Sequence, residues 1–241
     1  MTAYLRMLSA ERLKLIKSPI WLLVLVSPLI ALLVGFMAEP SGSWTSLINS
    51  QVTLHGMLLL PIFTGVFASY ICRFEHAAGG WKQVLVLPVS RASFYAAKLT
   101  VIMVLLLMMQ LLLFGSILIA GGFHEMMNDI PWAVLLKSIS AGWIASLPLA
   151  ALQLFVSMMW NSFGAPLGIN FMLTVPNLLI VNSEKYAPYY PWAQPFLVMM
   201  PTEEANFGAF LVPYSTLVPV IFGTAVLFVF AGMFYFKQKE V

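Results

Sequence analysis

The sequence predicts an all-α polytopic membrane protein with six transmembrane helices. Hydrophobic residues make up 61% of the 241 positions and charged residues only 9%, whereas soluble chains carry about a quarter charged. The mean hydropathy is +0.93. The apolar residues also gather into runs of the roughly 20 residues that a bilayer core of about 30 Å requires of a helix.

An amphipathic helix on the inner leaflet is expected over residues 1–18. Arg6, Lys14 and Lys17 share a helical stripe with Ala10, while Met1, Leu5, Leu8, Leu15 and Ile16 lie mostly opposite, interrupted by Arg12. Its cations would then sit near anionic headgroups. A basic flank that only sets topology is the plainer alternative. Transmembrane segments follow at 19–37, 52–71, 99–120, 132–160, 164–181 and 213–236. The fifth is the weakest, because Asn170, Thr174, Pro176 and Asn177 interrupt it. Such residues belong against other helices or a cavity, where freed backbone groups find partners. The fourth is longer than a span needs and either tilts or starts with an interfacial turn at Pro131 and Trp132. Residues 183–212 form an outer loop rich in proline and aromatic residues, among them Tyr186, Tyr189, Tyr190, Trp192 and Phe196. This density suits the headgroup zone and predicts short re-entrant or surface helices over the outer mouth of the bundle. No internal repeat is visible, and the chain reads as a single transmembrane domain over 1–241.

Orientation follows from lysine and arginine in the short connections. With the amino terminus inside, Arg6, Arg12, Lys14, Lys17, Arg73, Lys82, Arg91, Lys98, Lys237 and Lys239 are cytoplasmic, and only Lys137 and Lys185 lie outside. Both termini are therefore expected in the cytoplasm, at a bacterial cell membrane. The net charge of +3 is a topology signal and does not imply a nucleic-acid partner.

Several chemistries lack their residues. A proton- or sodium-coupled transporter needs ionisable groups at depth, yet the segment interiors hold only His55, Gln110, Gln153, Asn170 and Asn177, with Lys137 near one end. His55, His76 and His124 fall at unmatched depths, which argues against haem, and Cys72 with His76 is too small a set for a metal. The methionine doublets, such as Met108-Met109 and Met158-Met159, point in different directions on a helix and read as packing. Ser69, Ser116, Ser146 and Ser157 have no His/Asp company, and no Gly-Lys dipeptide exists to open a phosphate-binding loop. No catalytic residue, metal or cofactor is expected, and any ATP must be bound by a partner.

One cytoplasmic segment, 73–98, is organised beyond what a short loop needs. A polar helix extension from Arg73 reaches the Gly79-Gly80 break, Trp81 opens a short amphipathic piece with Val84, Leu85 and Leu87, and Pro88 turns the chain. Ser90 is placed to cap the next helix. The apolar face suits a partner's groove. A reverse turn held at the surface by Trp81 accounts for the same residues more plainly.

The pattern Glu75, Gly79-Gly80-Trp81-Lys82, Leu85, Leu87-Pro88-Val89-Ser90-Arg91, Tyr95 and Lys98 resembles the first cytoplasmic loop of ABC-2-type transporter permeases. It is most similar to the subgroup of lantibiotic-immunity and bacitracin-resistance permeases, as is the outer Tyr190-Pro191-Trp192 piece with Pro195. Gly80 departs from the pattern, which usually has threonine there. The resemblance implies a coupling helix between helices 2 and 3 that contacts a separate ATPase subunit, with Glu75, Gly79, Trp81, Lys82, Leu85, Pro88, Ser90 and Arg91 as its coupling residues. It also implies a second permease subunit, membrane lipids as surroundings, and peptide antibiotics as cargo. A permease for another substrate (a lipid-linked glycan, sodium or a small solute), a non-transporting anchor or sensor, and a membrane enzyme or haem subunit remain open from the residues alone.

Overall fold

The computed structural model describes residues 3–16, 18–39, 43–76, 90–160, 162–201 and 212–238. Its helices are α1 (Ala3–Ile16), α2 (Ile20–Met37), α3 (Trp44–Leu54), α4 (Leu60–His76), α5 (Arg91–Phe123), α6 (Trp132–Ala145), α7 (Leu147–Met159), α8 (Gly164–Thr174), α9 (Asn177–Ile180), α10 (Gln194–Met199) and α11 (Tyr214–Gln238). Five continuous stretches are long and apolar enough to cross a membrane: Ile20–Met37, Trp44–His76, Arg91–Phe123, Trp132–Met159 and Tyr214–Gln238. Gly164–Ile180 is a shorter apolar stretch. The described residues form an all-helical membrane protein.

The outward faces match this solvent. On α11, Phe222, Val226, Phe230 and Phe234 recur every four residues and are all exposed, as are Leu22, Leu29 and Leu33 on α2. A single apolar ridge of this kind is a liability in water and the normal lipid-facing surface of a span. The opposite faces pack as helix pairs: α2 and α1 on α5, α11 on α7, α7 and α8 on α4, and α10 on α6.

Helix α4 continues α3 through one π-turn at His55–Leu59, where the Leu60 amide donates to the His55 carbonyl. Pro61 follows and has no N–H for the Met57 carbonyl one turn back. The Asn177 side chain supplies the missing donor, its Nδ2 lying 2.8 Å from that oxygen and 3.0 Å from the Trp192 carbonyl. Asn170 bonds α4 one turn further on: its Nδ2 donates to the Pro61 and Ile62 carbonyls at 3.0 and 3.2 Å, and its Oδ1 accepts from Trp192 Nε1 at 2.9 Å. Gly65 makes room, since a β-carbon there would collide with the Asn170 side chain. Of the residues that weaken the fifth apolar run, Asn170, Thr174 and Asn177 are thus buried, and the exposed Pro176 divides the run into α8 and α9.

The segment between α9 and α11 is more deeply seated than its aromatic content suggests. All six residues of α10 are buried. Ser138 Oγ on α6 donates to the Met199 carbonyl at 2.6 Å, and Gln194 Nε2 donates to the Pro188 carbonyl at 2.9 Å. Tyr186 and Tyr189 remain exposed. The histidines are held structurally: His55 Nδ1 is 2.7 Å from Ser27 Oγ, His76 Nε2 is 2.8 Å from the Ser157 carbonyl, and His124 Nε2 is 2.9 Å from the Gly35 carbonyl. Met109 and Met158 are buried while Met108 and Met159 are exposed, so neighbouring thioethers do face apart.

Candidate functional site

The site lies where the two ends of the 73–98 segment meet the bundle. Helix α4 runs on through His76, and α5 begins at Arg91, capped by Ser90, whose Oγ accepts from the Ser93 amide at 3.1 Å. The conformation of Ser90 is extended, as an N-cap requires. Lys98 therefore sits two turns inside α5 and points back at the last turn of α4.

There it closes a ring of four charges. Lys98 Nζ donates to Glu75 Oε2 at 2.8 Å, to Glu11 Oε2 at 3.1 Å and to the Ile71 carbonyl at 3.0 Å. All three ammonium protons are thereby used. Lys14 Nζ completes the ring on the other side, 2.7 Å from Glu11 Oε1 and 2.6 Å from Glu75 Oε1. Each carboxylate bridges both lysines, so two anions and two cations alternate with no net charge.

Burial decides how strongly this arrangement constrains the fold. Lys98, Glu75 and Glu11 are buried, at 0%, 2% and 3% exposure, and only Lys14 reaches solvent. Taking such ions out of water costs several kcal/mol apiece, which is offset only when every charge is paired and hydrogen-bonded. The ring satisfies that condition with residues from three helices, and it holds only while α1, α4 and α5 stay in register.

Helix α1 is consequently docked. Tyr4 Oη and Thr100 Oγ1 are 2.9 Å apart, Ser18 Oγ donates to Tyr70 Oη at 2.8 Å, and Trp21 Nε1 donates to the Leu15 carbonyl at 2.8 Å. The stripe expected to present Lys14 to headgroups turns that residue onto carboxylates instead. Arg6 on the same stripe is exposed, and Lys17 lies outside the described residues.

Of the coupling residues read from the sequence, the structure describes Glu75, Ser90 and Arg91. Arg91 Nη1 donates to the Phe236 and Lys237 carbonyls at 3.2 and 2.6 Å, tying the start of α5 to the end of α11. Gly79, Trp81, Lys82, Leu85 and Pro88 lie outside the described residues. Sequence reasoning placed Lys98 at the edge of the motif and passed over Glu11 and Lys14. The available signal was Glu11, an acid set among Met7, Leu8 and Leu15 on the helix with a base three residues on.

Two comparisons bear on this arrangement. The bacitracin transport permease protein BCRB of Bacillus licheniformis is 25% identical to this chain over 203 residues, covering 80% of the chain and 91% of the relative. The family model described as an ABC-2 family transporter protein matches residues 7–177, a stretch that contains all four charges of the ring. The chain belongs to the ABC-2 family of transporter proteins.

Proposed function

We propose that this chain is the permease subunit of an ATP-driven exporter in the bacterial cytoplasmic membrane, and that its cargo is a hydrophobic or cationic peptide antibiotic of the bacitracin or lantibiotic type. Gly164–Ile180 completes six spans, both termini face the cytoplasm, and a second permease subunit completes the pathway. Residues 73–98 dock on a separate ATPase subunit through Glu75, Gly79, Trp81, Lys82, Leu85, Pro88, Ser90 and Arg91. The similarity to a bacitracin permease over most of both chains supports the cargo class.

The observation that carries the coupling role is the charge ring. The two ends of the segment are cross-linked at Glu75 and Lys98, and through Glu11 to a third helix, so they are tied to α1, α4 and α5 together. Force delivered to those ends by a closing ATPase is shared among the three helices.

The test is co-purification of the permease with a candidate ABC ATPase subunit, alongside peptide tolerance in cells. Trp81→Ala combined with Arg91→Glu is expected to abolish the association. Replacing the catalytic glutamate of the ATPase is expected to abolish tolerance while leaving the complex intact. Full tolerance with that dead ATPase would make the chain an anchor and not an exporter subunit.

A further inference from the structure

Helix α1 has a second face, turned away from the charge ring. With Glu11 engaged by Lys98 on α5 and Lys14 by Glu75 on α4, the reverse side of the helix points out of the bundle. At 3.6 residues per turn, Leu5, Ser9, Leu13 and Ile16 fall on one strip, and all four are exposed. Leu13 and Ile16 are the most open of the three apolar side chains, at 66% and 51%. Arg12 borders the strip on one side and Arg6 on the other, both exposed. Neither arginine has a carboxylate partner among the described residues, since Glu11, the one acid of α1, is held by the two lysines.

Two observations say what covers this face. The exposed apolar side chains continue along the chain from Leu13 and Ile16 to Trp21, Leu22 and Leu25, where α2 begins its lipid-facing side. Trp21 ties the two helices together, its indole donating to the Leu15 carbonyl, and a half-exposed tryptophan at the start of a span marks the headgroup level. The strip thus lies where hydrocarbon gives way to headgroups. Arginines on both edges of an apolar strip suit a helix sunk into that boundary, its leucines among acyl chains and its guanidinium groups reaching sideways to phosphates. A zwitterionic headgroup brings its own cation to each phosphate, so two arginines without carboxylates select the anionic kind. This face is nearly the reverse of the basic stripe read from the sequence, because Lys14 of that stripe is turned onto carboxylates.

We propose that the outward face of α1 is a binding surface for anionic phospholipid of the adjoining leaflet, with phosphates at Arg6 and Arg12 and acyl chains against Leu5, Leu13 and Ile16. The surface is independent of the cargo and of the ATPase contact. The ring on the opposite side fixes the rotation of α1 about its axis, so the lipid meets a face already formed.

The probe is dioleoylphosphatidylglycerol, titrated against dioleoylphosphatidylcholine onto the purified full-length chain in detergent and counted by native mass spectrometry. Wild type is expected to retain the phosphatidylglycerol in preference. Arg6→Gln and Arg12→Gln are each expected to lower that preference about fivefold, the worth of one basic side chain beside an anionic headgroup. Arg6→Lys and Arg12→Lys should keep it, and Lys185→Gln should leave it unchanged. Monodisperse elution and an unchanged helical circular dichroism spectrum establish that each variant is folded. A nitroxide on Leu13→Cys, with the buried Cys72 left unlabelled, reports depth in phosphatidylglycerol nanodiscs. It is expected to collide more with oxygen, which concentrates in hydrocarbon, than with a water-soluble nickel chelate. Equal retention of the two lipids, an unchanged preference in both glutamine variants, loss of the preference in the lysine variants, or a nitroxide in water would each overturn the proposal. A change of oligomeric state in the Arg6→Gln, Arg12→Gln double variant, measured by light scattering, would assign the face to a second copy of the chain and overturn it as well.

Discussion

Glu75 and Lys98, the two ends of the segment that interrupts the second and third long apolar helices, meet as a buried ion pair 2.8 Å long. The segment is therefore closed at its base before anything docks on it.

Removing Lys98 strands two carboxylates on a single partly exposed lysine. Lys98→Met should destabilise the protein by about 3–5 kcal/mol, the usual cost of leaving a buried charge unpaired. A fall in melting temperature of the detergent-solubilised protein measures it, and a melting curve like the wild type's would mean the ring is not load-carrying in solution.

Because the ring alternates in sign, exchanging one neighbouring pair of charges breaks the alternation on both sides of that pair. Glu75→Lys with Lys98→Glu restores that one pair but sets the new carboxylate against Glu11 and the new ammonium against Lys14, so it is expected to be no more stable than either single change. The double-mutant cycle over the four melting curves gives the coupling, and strict additivity would show that the two side chains act separately.

Asn170 serves three partners at once: two carbonyls of α4 and the Trp192 indole. Asn170→Ala leaves them without that donor and acceptor in a buried site and should cost about 1–3 kcal/mol. Proteolysis within 182–193 should become faster, since Trp192 loses its anchor. Asn170→Ala with protease resistance equal to wild type would contradict this.

Arg91 caps the carboxyl end of α11 with two charge-assisted bonds. Arg91→Ala should fray the last turn, seen as faster amide hydrogen exchange at 235–238 with the remainder of α11 unaffected. Uniform exchange across the helix would indicate a different origin. This readout needs no partner subunit and so separates capping from docking.

Much of the fold was legible because it rests on local composition. The long apolar stretches appear where their hydropathy puts them, and the polar residues of the fifth run face inward, as the scarcity of water at that depth requires. The helix preceding His55 was missed over Trp44 to Gln51 because its polar side chains depress the hydropathy while most of that face is buried, Gln51 included. The charge ring was not legible as a ring. Its Glu11–Lys98 contact joins residues 87 apart in sequence, and counting cations for topology treats each lysine as solvated. The depth of α10 escaped for a related reason: prolines and aromatic residues describe a headgroup segment and a packed plug equally well, and only the hydrogen bonds with Ser138, which donates to the Met199 carbonyl, and Thr224, which accepts from Gln194 Nε2, tell them apart.

The ring also imposes an order on assembly. Glu11 and Lys14 leave the ribosome long before Lys98, and until Lys98 arrives Glu11 lacks the partner that makes its burial tolerable. Helix α1 must therefore wait at the aqueous surface through insertion of the first two long helices and take its seat only once α5 has begun. Its docking is a late step of biogenesis that reports that the third long helix has been correctly placed.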